Sequence, residues 1–322
     1  MDDYLLFSRK MFLNELSVSP KLIMKYYHRE VNNLDNEAIF DSPAKWITDS
    51  IVQFTGTAEN TLKNGKNEPA WEKPLVGFSR GDDPLWEKFK KDIGPFYTTP
   101  SEIFAATLPS TNITSEELTV IAWILPQTER TKSDHRKENA FPSERWSRSR
   151  KYGEEFNLKL RTHLVETLKN TGYEAAAPQF SPLWKMAQSE KYGLSSAWSE
   201  RHAAYVSGLG TFGLCDGLIT PLGKAMRCGS VIARLSVPPT PRPYENRHAY
   251  CLFFAKGICG KCADRCPAGA ISKEKGHDKK RCQEYIDTKT PQYIKEHFGI
   301  DIYGCGLCQV AVPCESRIPV KG

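Results

Sequence analysis

The chain has 322 residues with 40% hydrophobic content and a formal net charge of +6, room for one large domain or two, and too mild a charge to demand a nucleic-acid partner. No run of about eighteen apolar residues occurs, which excludes a membrane-spanning helix of the ordinary kind. Ser8-Arg9-Lys10-Met11-Phe12-Leu13 loosely matches a twin-arginine export signal, but Asn14-Glu15 and Pro20-Lys21 interrupt the apolar stretch such a signal needs, so the expected location is cytoplasmic.

Residues 3–16 carry Tyr4, Leu5, Phe7, Met11, Phe12 and Leu16 at roughly helical spacing, followed by a polar stretch at 32–36 and a Gly/Asn/Lys-rich loop at 55–69. Residues 1–105 as a whole read as an irregular N-terminal extension or cap. The run Leu118-Thr-Val-Ile-Ala-Trp-Ile-Leu125, closed by Pro126, predicts a strand buried on both faces. Phe156, Leu160, Leu164 and Leu168, four apart, predict an amphipathic helix ending near Asn170 and Gly172. A second strand is expected at Gly229–Val237, and the proline-rich segment 238–243 is expected to link a domain at 106–243 to a cysteine module at 244–322.

All ten cysteines lie at or after Cys215, and thiols this localised point to metal rather than to a disulfide framework. Cys259-Gly-Lys-Cys262-Ala-Asp-Arg-Cys266-Pro267 matches the second, third and fourth cysteines of the bacterial ferredoxin run C-x2-C-x2-C-x3-C-P. Lys256 stands at the first position, and because cluster iron takes thiolate, Cys251 is the available replacement. Downstream come Cys282, then Cys305-Gly-Leu-Cys308, then Val312-Pro313-Cys314, in which the last cysteine is displaced by two residues past its usual place before the proline. Crossed ligation, in which the Cys-Pro cysteine serves the other cluster, then predicts one 4Fe-4S cluster on Cys251, Cys259, Cys262 and Cys314 and a second on Cys266, Cys282, Cys305 and Cys308. Zinc is the competing metal, but paired C-x2-C elements of zinc ribbons sit fifteen to twenty residues apart, and zinc leaves Cys266 and Cys282 without a purpose. Cys215 and Cys228 read as buried free thiols.

Upstream lies Ser199-Glu-Arg201-His-Ala-Ala-Tyr-Val-Ser-Gly208-Leu-Gly210-Thr-Phe-Gly213, leading into Leu218-Ile219-Thr220. With Gly153-Glu-Glu155-Phe156-Asn157 and the cysteine module, it resembles the cobalamin-dependent iron–sulfur reductases, the epoxyqueuosine reductases and reductive dehalogenases, over about residues 118–322. The resemblance implies an α/β (α+β) fold: a nitroreductase-like core, a C-terminal two-cluster ferredoxin-like domain and the irregular N-terminal extension. It implies a corrinoid seated against Tyr152, Gly153, Gly208, Leu209, Gly210, Phe212, Gly213 and Leu218, glycine being the residue that lets backbone approach a large flat ligand. Electrons would come from a reduced ferredoxin or flavodoxin-type donor and pass to a small or nucleoside-type substrate. The family's Asp-Ser-Ala-Pro element before Glu-Arg is replaced by Leu194-Ser-Ser-Ala-Trp198, so no carboxylate stands there, and Tyr192 and Tyr205 are the candidate proton donors, polarised by Lys191 or Arg201.

The segment Arg145-Trp-Ser-Arg-Ser-Arg150-Lys151-Tyr152 offers basic and aromatic residues to an RNA backbone or a cofactor phosphate, although a solvated helix entrance explains it as well. His202 and His248 are assigned no metal. The leading expectation is a corrinoid-binding iron–sulfur reductase. The alternatives are a pure electron carrier without corrinoid and a tRNA epoxyqueuosine reductase in the strict sense.

Overall fold

A computed structural model describes residues 42–109 and 112–320; the helical reading of residues 3–16 and the polar stretch at 32–36 lie outside them. The chain divides into two compact units, Met1–Trp46 and Ile47–Gly322, and the second holds the sheet and all ten cysteines. Among the described residues no helix is long and apolar enough to cross a membrane.

Helix α1 (Pro43–Thr55) leads into a loop that Asn60 organises: its amide donates to the carbonyls of Thr55 and Trp71 and its oxygen accepts from the backbone of Ala70 and Trp71. Strand β1 (Leu75–Arg80) follows, then helices α2 (Leu85–Ile93) and α3 (Pro100–Thr107), the latter started by a Thr99/Glu102 capping box. Part of the segment expected to be irregular therefore supplies a strand to the core.

The predicted central strand is β2 (Leu118–Pro126), with all nine residues buried. Its run is continuously apolar because both faces are covered. Val120, Ala122 and Ile124 pack with Ile103 and Phe104 of α3 on one side, while on the other Trp123 meets the helix beyond. After α4 (Glu129–Arg136) and α5 (Glu144–Arg148), a single π turn at Ser149–Gly153 leads into α6 (Glu154–Asn170), the predicted amphipathic helix, whose Phe156, Leu160, Leu164 and Leu168 are buried. Next come β3 (Ala175–Ala176), the hairpin of β4 (Met186–Ser189) and β5 (Gly193–Ser196), α7 (Glu200–Val206), the short pair β6 (Thr211–Phe212) and β7 (Leu218–Ile219), and β8 (Met226–Arg234). The main sheet has the order β1-β2-β8-β3, antiparallel throughout, with Ile121 opposite Val231 and Trp123 opposite Gly229.

The second predicted strand thus begins three residues earlier than expected and ends at Arg234. Beyond it Leu235 and Val237 still bond to the Thr119 hydroxyl, which explains why the apolar pattern runs on past the ladder. The proline-rich segment is not a free spacer: Thr240 donates its backbone N–H to the Phe78 carbonyl and its hydroxyl accepts from Phe78, capping the exposed edge of β1.

The C-terminal region is built of short pieces: α8 (Leu252–Lys256), α9 (Lys261–Asp264), the hairpin of β9 (Ile271–Ser272) and β10 (Gly276–His277), α10 (Lys279–Thr288) and α11 (Thr290–Phe298). Few large apolar side chains are fully enclosed there, chiefly Ile294, Leu307 and Val310, and cysteines fill much of the remaining interior.

Candidate iron–sulfur centre

Four cysteines far apart in sequence line one recess: Cys251 at the start of α8, Cys259 and Cys262 around α9, and Cys314 further along, with Gly213, Lys224 and Pro313 completing the wall. This is the set expected for the first cluster, the two off-pattern cysteines included. Cys314 is held in place by the turn before β8: the backbone N–H of Lys224 donates to the carbonyls of Cys314 (2.9 Å) and Glu315 (3.0 Å), and that of Ala225 to Glu315 (3.2 Å). The Glu315 carboxylate in turn accepts from Arg136 of α4 and from the Ala311 N–H, which fixes the left-handed Ala311 turn between Cys308 and Cys314. Among the described residues no three His, Cys, Asp or Glu side chains converge tightly enough for a single ion, so these thiols frame a space rather than close on one metal.

The second expected set also gathers. Cys305 feels the charges of Cys282 and Cys266, and burial pushes its thiol up to about 11, so iron must displace the proton that water would leave in place. Cys308 borders both regions, since its thiol and that of Cys262 each contact the Cys215 thiol. Cys215 is thus no isolated packing residue; it lies between the two sets and accepts from the Lys224 ammonium at 3.3 Å. Cys228 does behave as an inert thiol, raised to about 12 by burial in β8.

Lys224, absent from every sequence expectation, is the strongest test of whether clusters fit. Its side chain is 2% exposed, and among the described residues no carboxylate lies within ion-pair distance. A buried ammonium is tolerated beside negative charge, and the anionic group that this arrangement accommodates is a thiolate-ligated iron–sulfur cluster.

The residues expected to seat a corrinoid are packed against the protein itself. A Cβ on Gly208 would lie 2.6 Å from the Pro241 carbonyl oxygen, and one on Gly210 2.3 Å from that of Ile219. Gly153 leaves room for the Trp71 ring, whose Nε1 donates to the Gly153 carbonyl at 3.0 Å. Leu209, Phe212 and Leu218 belong to the buried cluster around Trp198 and Tyr205, while Tyr152 lies beneath the Lys63 and Lys151 ammonium groups. Internal packing accounts for Gly153, Gly208 and Gly210, so they no longer argue for a ligand by themselves.

The two candidate donors part company. Tyr205 is a wall residue, its ring stacked on Tyr244 at 5.2 Å and its hydroxyl made less acidic by burial. Tyr192 donates to the Asp92 carboxylate of α2 at 2.5 Å, and Asp92 also pairs with Lys191. Burial opposes ionisation of Asp92, but hydrogen bonds from Lys191 and Tyr192 hold it below the usual carboxylate range. A carboxylate therefore stands beside Tyr192, brought there from a hundred residues upstream. Local spacing cannot reveal it, because the sequence next to Tyr192 offers a cation, Lys191, while Asp92 comes from α2.

Much of the basic stretch is engaged within the protein. Arg145 bonds to Glu68 and Asp134, Arg148 to Glu144, and Arg150 lies over the Tyr303 ring, while Trp146 is stacked on buried His135 at 4.1 Å. Glu68 is held down to about 2 chiefly by Arg145. His202 is enclosed by Phe89, Tyr97 and Phe212 and lowered to about 3 by burial, with Nδ1 2.8 Å from the Ser199 hydroxyl. His248 bonds to the Phe212 carbonyl at 2.9 Å.

Residues 257–315 match the 4Fe-4S double cluster binding domain family. A Bacillus anthracis epoxyqueuosine reductase is 32% identical over 120 residues, 36% of this chain and 29% of that protein. The same name is carried by relatives from Atelocyanobacterium thalassa and Shewanella oneidensis, and the chain spans little more than a third of those proteins' length. Among solved structures, a catabolic reductive dehalogenase aligns with a TM-score of 0.47 at 16% identity, covering 86% of this chain and 37% of that one. An epoxyqueuosine reductase with a tRNA-Tyr epoxyqueuosine-modified stem loop aligns at 0.44 and 18%, covering 84% and 66%. The C-terminal region is a double 4Fe-4S cluster binding domain, and the chain that carries it is similar to the epoxyqueuosine reductases.

Proposed function

We propose that this protein is a cytoplasmic iron–sulfur reductase of the epoxyqueuosine reductase kind. Single electrons from a reduced ferredoxin or flavodoxin-type donor would pass through a cluster on Cys266, Cys282, Cys305 and Cys308 and one on Cys251, Cys259, Cys262 and Cys314 to a modified nucleoside carried by tRNA. The observation that carries the redox reading is the gathering of Cys251, Cys259, Cys262 and Cys314 around one recess beside a buried lysine. The choice of a tRNA nucleoside over an unspecified small molecule is supported by the curated relatives' shared name.

The resemblance adds a corrinoid, which when bound supplies a cobalt centre able to take up electrons and reduce the substrate. The chain's own contribution at the substrate is a proton: Tyr192 is held by Asp92 and flanked by Lys191 and Lys279, whose ammonium groups lie 5.0 and 5.8 Å from the ring centroid.

Anaerobic reconstitution with iron, sulfide and cobalamin tests the reading in one preparation. The expected result is about eight irons per chain and a retained corrinoid absorption band. Eight irons without corrinoid would make the protein a pure electron carrier. Accumulation of epoxyqueuosine in the tRNA of a deletion strain is expected, and unchanged tRNA would remove the tRNA substrate.

A further inference from the structure

Lys224 sits where the two cysteine sets meet. Its ammonium donates to the Cys215 thiol at 3.3 Å, and that thiol contacts Cys262 of the first set and Cys308 of the second. It also lines the recess that Cys251, Cys259, Cys262 and Cys314 surround. Its backbone is equally constrained, because its N–H is shared between the carbonyls of Cys314 and Glu315 and Gly223 before it holds a left-handed φ of 86°. The nearby Glu315 carboxylate is engaged by Arg136 and the Ala311 N–H, and among the described residues it makes no ion pair with Lys224.

A thiolate-ligated 4Fe-4S cluster carries net negative charge and gains one more unit when reduced. A neighbouring fixed cation therefore favours the reduced form, and net charge and hydrogen bonds to sulfur are the main protein controls on cluster potential. Burial, and the absence among the described residues of a carboxylate paired with it, leave the Lys224 charge less screened than it would be in water.

We infer that Lys224 is a charge-compensating residue placed between the two clusters, and that it raises the reduction potential of the cluster on Cys251, Cys259, Cys262 and Cys314. In each reduction a one-electron donor is oxidised by one electron and the cluster gains it; no covalent bond breaks, since the compensating positive charge is already in place. This inference rests on the two-cluster assignment.

The test is an EPR-monitored redox titration of the reconstituted full chain with dithionite, comparing wild type, Lys224→Met, Lys224→Arg and Cys215→Asp. Expected are a shift of one cluster to more negative potential in Lys224→Met, near wild-type behaviour in Lys224→Arg, and a negative shift in Cys215→Asp, where a carboxylate cancels the ammonium while the lysine remains. Iron lost in Lys224→Met but kept in Lys224→Arg equally shows a required charge, and Cys215→Asp then supplies the potential. Wild-type potentials for both clusters in Lys224→Met and Cys215→Asp would overturn the inference while leaving the two-cluster reading intact. Wild-type protein with about four irons or fewer would remove the assignment itself.

Discussion

Asp92 changes what the loss of an acidic residue before Glu200 means. The hydroxyl of the proposed donor Tyr192 is oriented by Asp92, which also pairs with Lys191, so the three side chains form one connected group. Tyr192→Phe and Asp92→Asn should each lower kcat by roughly 100-fold, within the usual range for removing a general acid or its partner, with iron content and melting temperature unchanged. Tyr205→Phe is the control. Its ring is packed in the core and its hydroxyl lies outside that arrangement, so turnover should stay near wild type. Equal losses in both tyrosine variants would point to the pocket's shape rather than to proton transfer.

At the scale of elements, legibility followed burial. The run 118–125 announced β2 because a strand covered on both faces must be apolar throughout, and the stripe at 156, 160, 164 and 168 announced α6 because one helix face meets the sheet. β1 was not legible: Leu75-Val-Gly-Phe-Ser-Arg80 is short, and Gly77 sits in it because a Cβ there would lie 2.4 Å from the Ser207 carbonyl oxygen, a contact between segments 130 residues apart. The cysteine spacing pointed to two ligand sets, since ligand chemistry constrains sequence directly, and the structure brings Cys251, Cys259, Cys262 and Cys314 to one recess. Lys224 and Asp92 stayed hidden because only tertiary packing gives them partners. The turn that positions Cys314 offers an element-scale test. Gly223 has φ 86°, and a Cβ on it would fall 2.1 Å from the Glu315 carbonyl oxygen. Gly223→Ala should destabilise the protein by roughly 2–3 kcal/mol through backbone strain and collision, and lower bound iron by loosening Cys314. Unaltered iron and melting temperature in that variant would mean that the turn does not hold the ligand.

For the molecule as a whole, the cysteine region has little apolar interior of its own, so the clusters stand in for a core there. Metal binding then becomes folding free energy, and chelation of iron should lower the melting temperature by roughly 10 °C, with proteolysis first cutting within 251–315. An unchanged melting curve after complete iron removal would show that the short helices hold together without their metal. The sheet is expected to outlast this loss, since β2 and β8 are paired along nine residues.

That pairing carries a consequence for how the protein tolerates change in length. β8 enters the sheet at Met226, two residues after Lys224, with its register set residue by residue from Met226 opposite Pro126 to Arg234 opposite Leu118. One residue inserted between Lys224 and Met226 would leave the ladder with its inward and outward faces intact, because the extra length can be taken up in the turn. It would, however, carry the ammonium and the Cys314 anchor away from the thiols together. Such a chain would keep its strand register and lose the contact between lysine and thiol, which makes this short span the place where sheet pairing and the environment of the cysteines can be changed separately.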